Sequence, residues 1–234
     1  EIFDSANNAA SIPDGCDQNE ALREINIISK KNVENRSLIG LGYHSTVIPP
    51  VVQRNVLENP NWYTAYTPYQ AEVAQGRLEA LLNYQTVICD LTGMEISNAS
   101  LLDEGTSAAE AMTMLFGCRS RDQIKNEVNK FVISSDVFDQ TISVLETRAE
   151  PLGIEIEIVD YDSINIDDSV FGCIVQYIGK TGKINNLENI SKKVQDSNSK
   201  LIVAADLMAL TLLKEPASFN CDVVIGTSQR FGIP

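Results

Sequence analysis

Residues 170–178 read VFGCIVQYI, and residues 201–206 read LIVAAD. Each is an apolar run of strand length, bounded by polar residues, and too short for an ordinary helix. Strands of that kind belong inside a parallel sheet covered on both faces. Working outward, FVIS at 131–134, IEIEIV at 154–159 and DVVIG at 222–226 are further strands, with helical patterns at 137–148 and 187–194. Strands separated by helices define an α/β protein with a mostly parallel sheet covered by helices. The run DYDSINIDD at 160–168 is expected to be a polar surface loop.

Upstream, helical spacing dominates. Leu22, Ile25 and Ile28 fall on one face of a helix within 17–32, and 51–58 forms a short helix after Pro49 and Pro50. A long helix follows residue 70, carrying Val73, Leu78, Leu81, Leu82, Ile88 and Leu91, and Gly93 is its expected stop. Another runs from about 106 to 116. The chain thus divides into a helical and extended segment at 1–60 and an α/β part at 61–234.

The 234 residues carry 44% apolar and 21% charged side chains, ordinary for a chain with a sizeable core. The net charge of −14 argues against a nucleic-acid partner, which needs stripes of Lys and Arg. It serves solubility or presents an acidic face to a basic partner. Five dispersed cysteines without a CxxC pair suggest reduced thiols in a cytosol-like compartment. A single histidine, His44, excludes a His-rich metal site. No apolar run reaches the roughly 18 residues of a membrane span. The chain opens on Glu1 and closes on Pro234 after an unfinished loop, as if cut at both ends.

Sites in open α/β sheets gather at the carboxyl ends of strands. Gly179-Lys180-Thr181 follows one such end, but Ile174 stands where a phosphate loop needs glycine. Gly40-Leu41-Gly42 lacks the third glycine of a dinucleotide fingerprint, and no GxSxG elbow accompanies His44. Asp206, ending a strand, could bond a cofactor's ring nitrogen or cap the next helix. NWYTAYTPYQ at 61–70 holds the only Trp and three of the seven Tyr directly before the long helix. Thr67, Pro68 and Gln70 read as a capping box. That leaves Trp62, Tyr63, Tyr66 and Tyr69 as amphipathic rings beside a helix end, an arrangement suited to an interface with one wet side.

NWYTAYTPYQAEVAQGRLEALLNYQTVICDLTGMEISNASLLDEGTSAAEAM at 61–112 resembles glycine decarboxylase, the P-protein of the glycine cleavage system. KNVENRSLIGLGYHSTVIPPVVQRNVLENP, TISVLETRAEPLGIEIE, LIVAADLMALTLL and VVIGTSQRFGIP match that family in the same order, from about residue 20 onward. The departures are SSDVFDQT, where a His-Pro pair usually precedes Gln-Thr, and Tyr177-Ile178, where Tyr-Pro is usual. The resemblance implies the large domain of the aminotransferase-like fold, pyridoxal phosphate fold type I, in truncated form. It also implies decarboxylation of glycine on pyridoxal phosphate and transfer of the aminomethyl group to the lipoyl arm of the H-protein.

Family members contain two homologous halves, and this chain is similar to the N-terminal one or its separate subunit. Counting back from the shared proline, Gln229 occupies the place of the Schiff-base lysine, and an amide forms no imine. Asp103 and Glu104 sit at a helix end that would otherwise attract phosphate. The resemblance therefore implies a half without a cofactor or metal of its own, and Asp206 has no ring-nitrogen role in it. Such a half would complete the site of a lysine-bearing half in a homo- or hetero-oligomer, with Tyr66, Thr67, Tyr69, Gln70, Tyr43 and His44 facing the glycine pocket. The competing expectation is a silent scaffold half that gives stability and docks the carrier. Either belongs in the cytoplasm, or in the mitochondrial matrix of a eukaryote.

Overall fold

The computed structural model describes residues 14–63 and 70–232; residues 71 and 73–75 are described by backbone alone. The chain divides into two units between Leu38 and Ile39. In the first, α1 (Gln18–Ser29) starts from a reciprocal cap. The Glu20 N–H donates to Asp17 Oδ1 at 2.9 Å, and the Asp17 N–H donates to Glu20 Oε2 at 3.3 Å. Two orphan amides at the helix start are satisfied this way.

In the second unit, α2 (Pro50–Leu57), α3 (Pro60–Tyr63), α4 (Ala71–Thr92), α5 (Glu104–Gly117) and α6 (Arg121–Lys125) precede the sheet. Then β1 (Lys130–Ser134), α7 (Asp139–Ala149), β2 (Glu155–Val159), β3 (Val170–Tyr177), α8 (Leu187–Asp196), β4 (Lys200–Ala205) and β5 (Val223–Ile225) follow. The strands are ordered β2-β1-β3-β4-β5 and every pairing is parallel. All eight residues of β3 are buried at the sheet's centre, as an unbroken apolar run requires. β2 lies at an edge, where Glu155 and Glu157 face water and discourage further pairing.

Two cores result. On one face α5 and α7 supply Ala108, Met112 and Leu145 against Phe131, Ile133, Phe171, Ile174 and Ile202. On the other, α8 supplies Leu187, Ile190 and Val194 against Val132, Cys173, Val175, Leu201 and Val203. Phe171 and Ile174 share a face although strand alternation would separate them. A register shift between Lys130 and Phe131 accounts for this, since Lys130 pairs with Val170 but Phe131 with Gly172. Truncating the fully buried Leu145 to Ala would cost about 2–5 kcal/mol.

Several sequence readings shift. The 160–168 stretch is not simply a surface loop, because Ile164 and Ile166 are buried in the second core. Alternating polar residues disguised them. Helix α4 begins at Ala71 with Gln70 as N-cap and without a side-chain cap bond, so Gln70 stands at the cap and not at the third helical position of this helix. Thr67 and Pro68 lie outside the described residues. Gly93 does end α4, at φ 74°, where a Cβ would meet Glu215 Cγ at 2.8 Å. Helix α5 starts at Glu104 because Asp103 caps it, and the short helices α3 and α6 carry no periodicity the sequence could display.

Candidate functional site

The carboxyl ends of β3, β4 and β5 converge with the amino end of α5 around four polar side chains. Gln176, on β3, is 2% exposed, and its Nε2 donates to Glu104 Oε1 at 3.0 Å. The other amide atom, Oε1, is buried without a partner among the described residues. Burial raises the Glu104 pKa, the Gln176 donor opposes the rise, and the Asp206 and Asp103 charges add to it. Asp103 shows the opposite shift: its carboxyl accepts the Thr106 N–H at 2.7 Å, which lowers its pKa.

Asp206 follows β4. Its Oδ1 accepts the Met208 N–H at 2.9 Å and the Arg230 Nε–H at 3.2 Å. Asp206 therefore closes a local turn and does not cap the next helix, whose N-cap is Met208, and it forms an ion pair whose side chains are only 21% and 26% exposed. The approach is close because β5 leads out through Gly226, where a Cβ would lie 2.3 Å from the Ala205 carbonyl oxygen. Thr227 Oγ1 then accepts the Gln229 N–H at 3.2 Å, and Gln229 Nε2 donates to the His44 carbonyl at 3.4 Å.

His44 belongs to a turn of unusual backbone. Gly40, Leu41 and Gly42 all have positive φ, at 67°, 55° and 83°, and the Tyr43 N–H closes the turn on the Gly40 carbonyl at 2.9 Å. A Cβ on Gly42 would stand 2.6 Å from the Phe138 ring. From α7, Gln140 Nε2 donates to the Leu41 carbonyl at 2.8 Å. The side chains of Tyr43 and His44 point into solvent, Tyr43 being 59% exposed.

Of the candidate residues from the sequence, Tyr43, His44 and Gln229 are brought together, while Gln70 is exposed at the start of α4. Tyr66, Thr67 and Tyr69 lie outside the described residues. Trp62 and Asn61 offer their carbonyls to Arg77 Nη2 at 3.0 and 2.9 Å. The sequence reading missed Gln140, Gln176 and Arg230. Gln176 had a signal, as the only amide in an otherwise apolar strand, and Arg230 had one too, as the cation next in sequence to Gln229.

A pyridoxal phosphate site needs an anion-accepting helix end, a free carboxylate for the ring nitrogen and an imine-forming lysine. Here the helix end carries Asp103 and Glu104, Arg230 engages Asp206, and position 229 is an amide. Lys180 and Lys183, beyond β3, are held by Asp139 at 2.6 Å and Asp162 at 3.0 Å. These residues do not fit the cofactor. Among the described residues no three or more His, Cys, Asp or Glu side chains group as metal ligands, and no helix is long and apolar enough to cross a membrane.

The sheet order, the helical cover and the strand-end crevice are those of pyridoxal phosphate fold type I. A cystine C–S lyase, C-DES, solved with cysteine persulfide, shares this fold at TM-score 0.55 and 12% identity over 78% of this chain and 51% of its own. The chain belongs to the glycine cleavage system P-protein family, whose model matches residues 5–234. Glycine dehydrogenase (decarboxylating) of Prochlorococcus marinus (strain NATL2A) is 59% identical over 234 residues, all of this chain and 24% of that protein. A glycine decarboxylase (P-protein) solved in inhibitor-bound form superposes at TM-score 0.86 and 26% identity, covering 100% of this chain and 55% of the other. The chain spans about a quarter of the length of the curated relatives it matches.

Proposed function

We propose that this chain is part of the N-terminal half, or of the corresponding separate subunit, of a glycine dehydrogenase (aminomethyl-transferring), the half without the Schiff-base lysine. The whole enzyme decarboxylates glycine on pyridoxal phosphate and passes the aminomethyl group to the lipoyl arm of the H-protein. One observation carries the reading: in a chain of the P-protein family, Gln229 and the Arg230–Asp206 pair stand where a cofactor would need a lysine and a free carboxylate. The half therefore contributes to a cofactor held by a homologous lysine-bearing half or subunit in an oligomer. Its named relative is bacterial, which favours the cytoplasm.

Tyr43 and His44, held outward on their turn, and Tyr66, Thr67, Tyr69 and Gln70 before and at the start of α4 are the groups we assign to that shared pocket. The test is Tyr66→Phe and Tyr69→Phe in the complete enzyme, assayed with its lipoyl carrier. Loss of a hydroxyl donor aimed at the reacting centre should cost on the order of 2–4 kcal/mol of transition-state stabilisation. The melting temperature should hardly move, because a hydroxyl facing a ligand contributes little to the empty fold. Wild-type turnover in both variants would instead make this half a scaffold for stability and carrier docking.

A further inference from the structure

The turn at 40–44 is unusual for what holds it. Three successive residues have left-handed backbone, and the middle one, Leu41, has a side chain that disfavours that conformation. Such a turn persists only where its surroundings over-determine it, and those surroundings cluster at functional sites. Three fastenings do so here. Phe138 fills the space beside Gly42, Gln140 Nε2 grips the Leu41 carbonyl, and Gln229 Nε2 grips the His44 carbonyl. The two amides come from separate elements, the first turn of α7 and the loop after β5. Both are secured in turn: Gln229 by the Thr227 hydroxyl and by its neighbour Arg230 on Asp206, Gln140 by its place on a helix packed into the first core. Every fastening acts on backbone or on glycine. The side chains of Tyr43 and His44 are left exposed.

We propose that Gln140 and Gln229 are positioning residues that set the turn 40–44, and with it Tyr43 and His44, for the active site this half completes. The inference rests on that proposed function. It gives the amide at position 229 a use: in place of a nucleophile, it supplies an N–H donor to a neighbouring loop. An amide suits the task, because it donates to a carbonyl without bringing a net charge to an already acidic strand-end crevice.

The experiment uses the complete enzyme with Gln140→Glu, Gln229→Glu and Gln229→Lys. The glutamates keep the size of the side chain but replace the donor with a carboxylate facing a carbonyl oxygen, whereas lysine at 229 still donates. Hydrogen exchange read on peptides covering 40–46 reports the turn, and peptides from β3 and β4 report the fold. We expect both glutamate variants to exchange faster in the turn alone. The KM for glycine should rise about three- to tenfold, the scale of one lost neutral hydrogen bond. With kcat held, that is the signature of lost uniform binding. Gln229→Lys, which keeps a donor, should leave exchange in the turn at the wild-type rate. If a glutamate variant fails to fold, as the β3 and β4 peptides would reveal, Gln140→Ala and Gln229→Ala take its place with the same expectation. Wild-type exchange in the turn overturns the anchors and leaves the proposed function standing. Faster exchange with unchanged KM overturns the positioning role and also removes the turn from the glycine pocket.

Discussion

Two regions of this chain use the same residue types to opposite ends. At the carboxyl ends of β3 to β5, Gln176 donates to Glu104 and Arg230 pairs with Asp206, so these polar side chains are bonded mainly to one another. At the turn 40–44, neutral amides hold only the backbone, and the polar tips of Tyr43 and His44 are spared. The difference bears on the proposed division of labour: a half without a cofactor of its own would need its strand-end charges balanced internally, as Arg230 balances Asp206, and a neighbouring loop held with its side chains free.

The comparison breaks most visibly at Arg230. Removing it with Arg230→Ala strands a half-buried Asp206, and losing a hydrogen bond to a charged group costs about 1.5–3 kcal/mol. The denaturant midpoint of the complete protein should fall at constant slope; an unmoved midpoint would mean the pair does not close the crevice. Asp103→Ala comes next. It removes the cap from α5 and should cost about 0.5–2 kcal/mol, while Asp103→Ser, which keeps an acceptor, should restore most of it. Equal losses in both would assign Asp103 some task other than capping.

The smallest effect depends on pH. Glu104 has its pKa raised on folding, so the native state binds its proton more tightly than the unfolded chain does. Stability from this group is complete below its ordinary value of 4.5 and declines as the pH climbs from there through the raised folded value. Glu104→Gln keeps an acceptor for Gln176 without ionising. It should therefore melt above the wild type at neutral pH and converge with it below pH 4.5. A gap that widens in acid would reverse the sign and refute the burial argument.

The sheet was largely legible in advance. VFGCIVQYI and LIVAAD announce buried parallel strands because nothing in them faces water, and the observed strands agree to within a residue or two. Ile164 and Ile166 were not legible, since alternation with Asn and Asp mimics a solvated loop while tertiary packing decides their burial. The site was legible in part. Family resemblance put Gln229 at the expected place of a Schiff-base lysine and His44 among the residues expected to face the glycine pocket. Their meeting was not foreseen, because 185 residues separate them in the chain and no local pattern records the contact. Gln140 looked like ordinary helix surface for the same reason.

The central claim is that this half holds no cofactor of its own. Borohydride reduction of the complete, cofactor-loaded enzyme followed by peptide mapping tests it most directly. A pyridoxyl-lysine should be found only on peptides outside these 234 residues; a stoichiometric adduct on Lys180 or Lys183 would contradict the account.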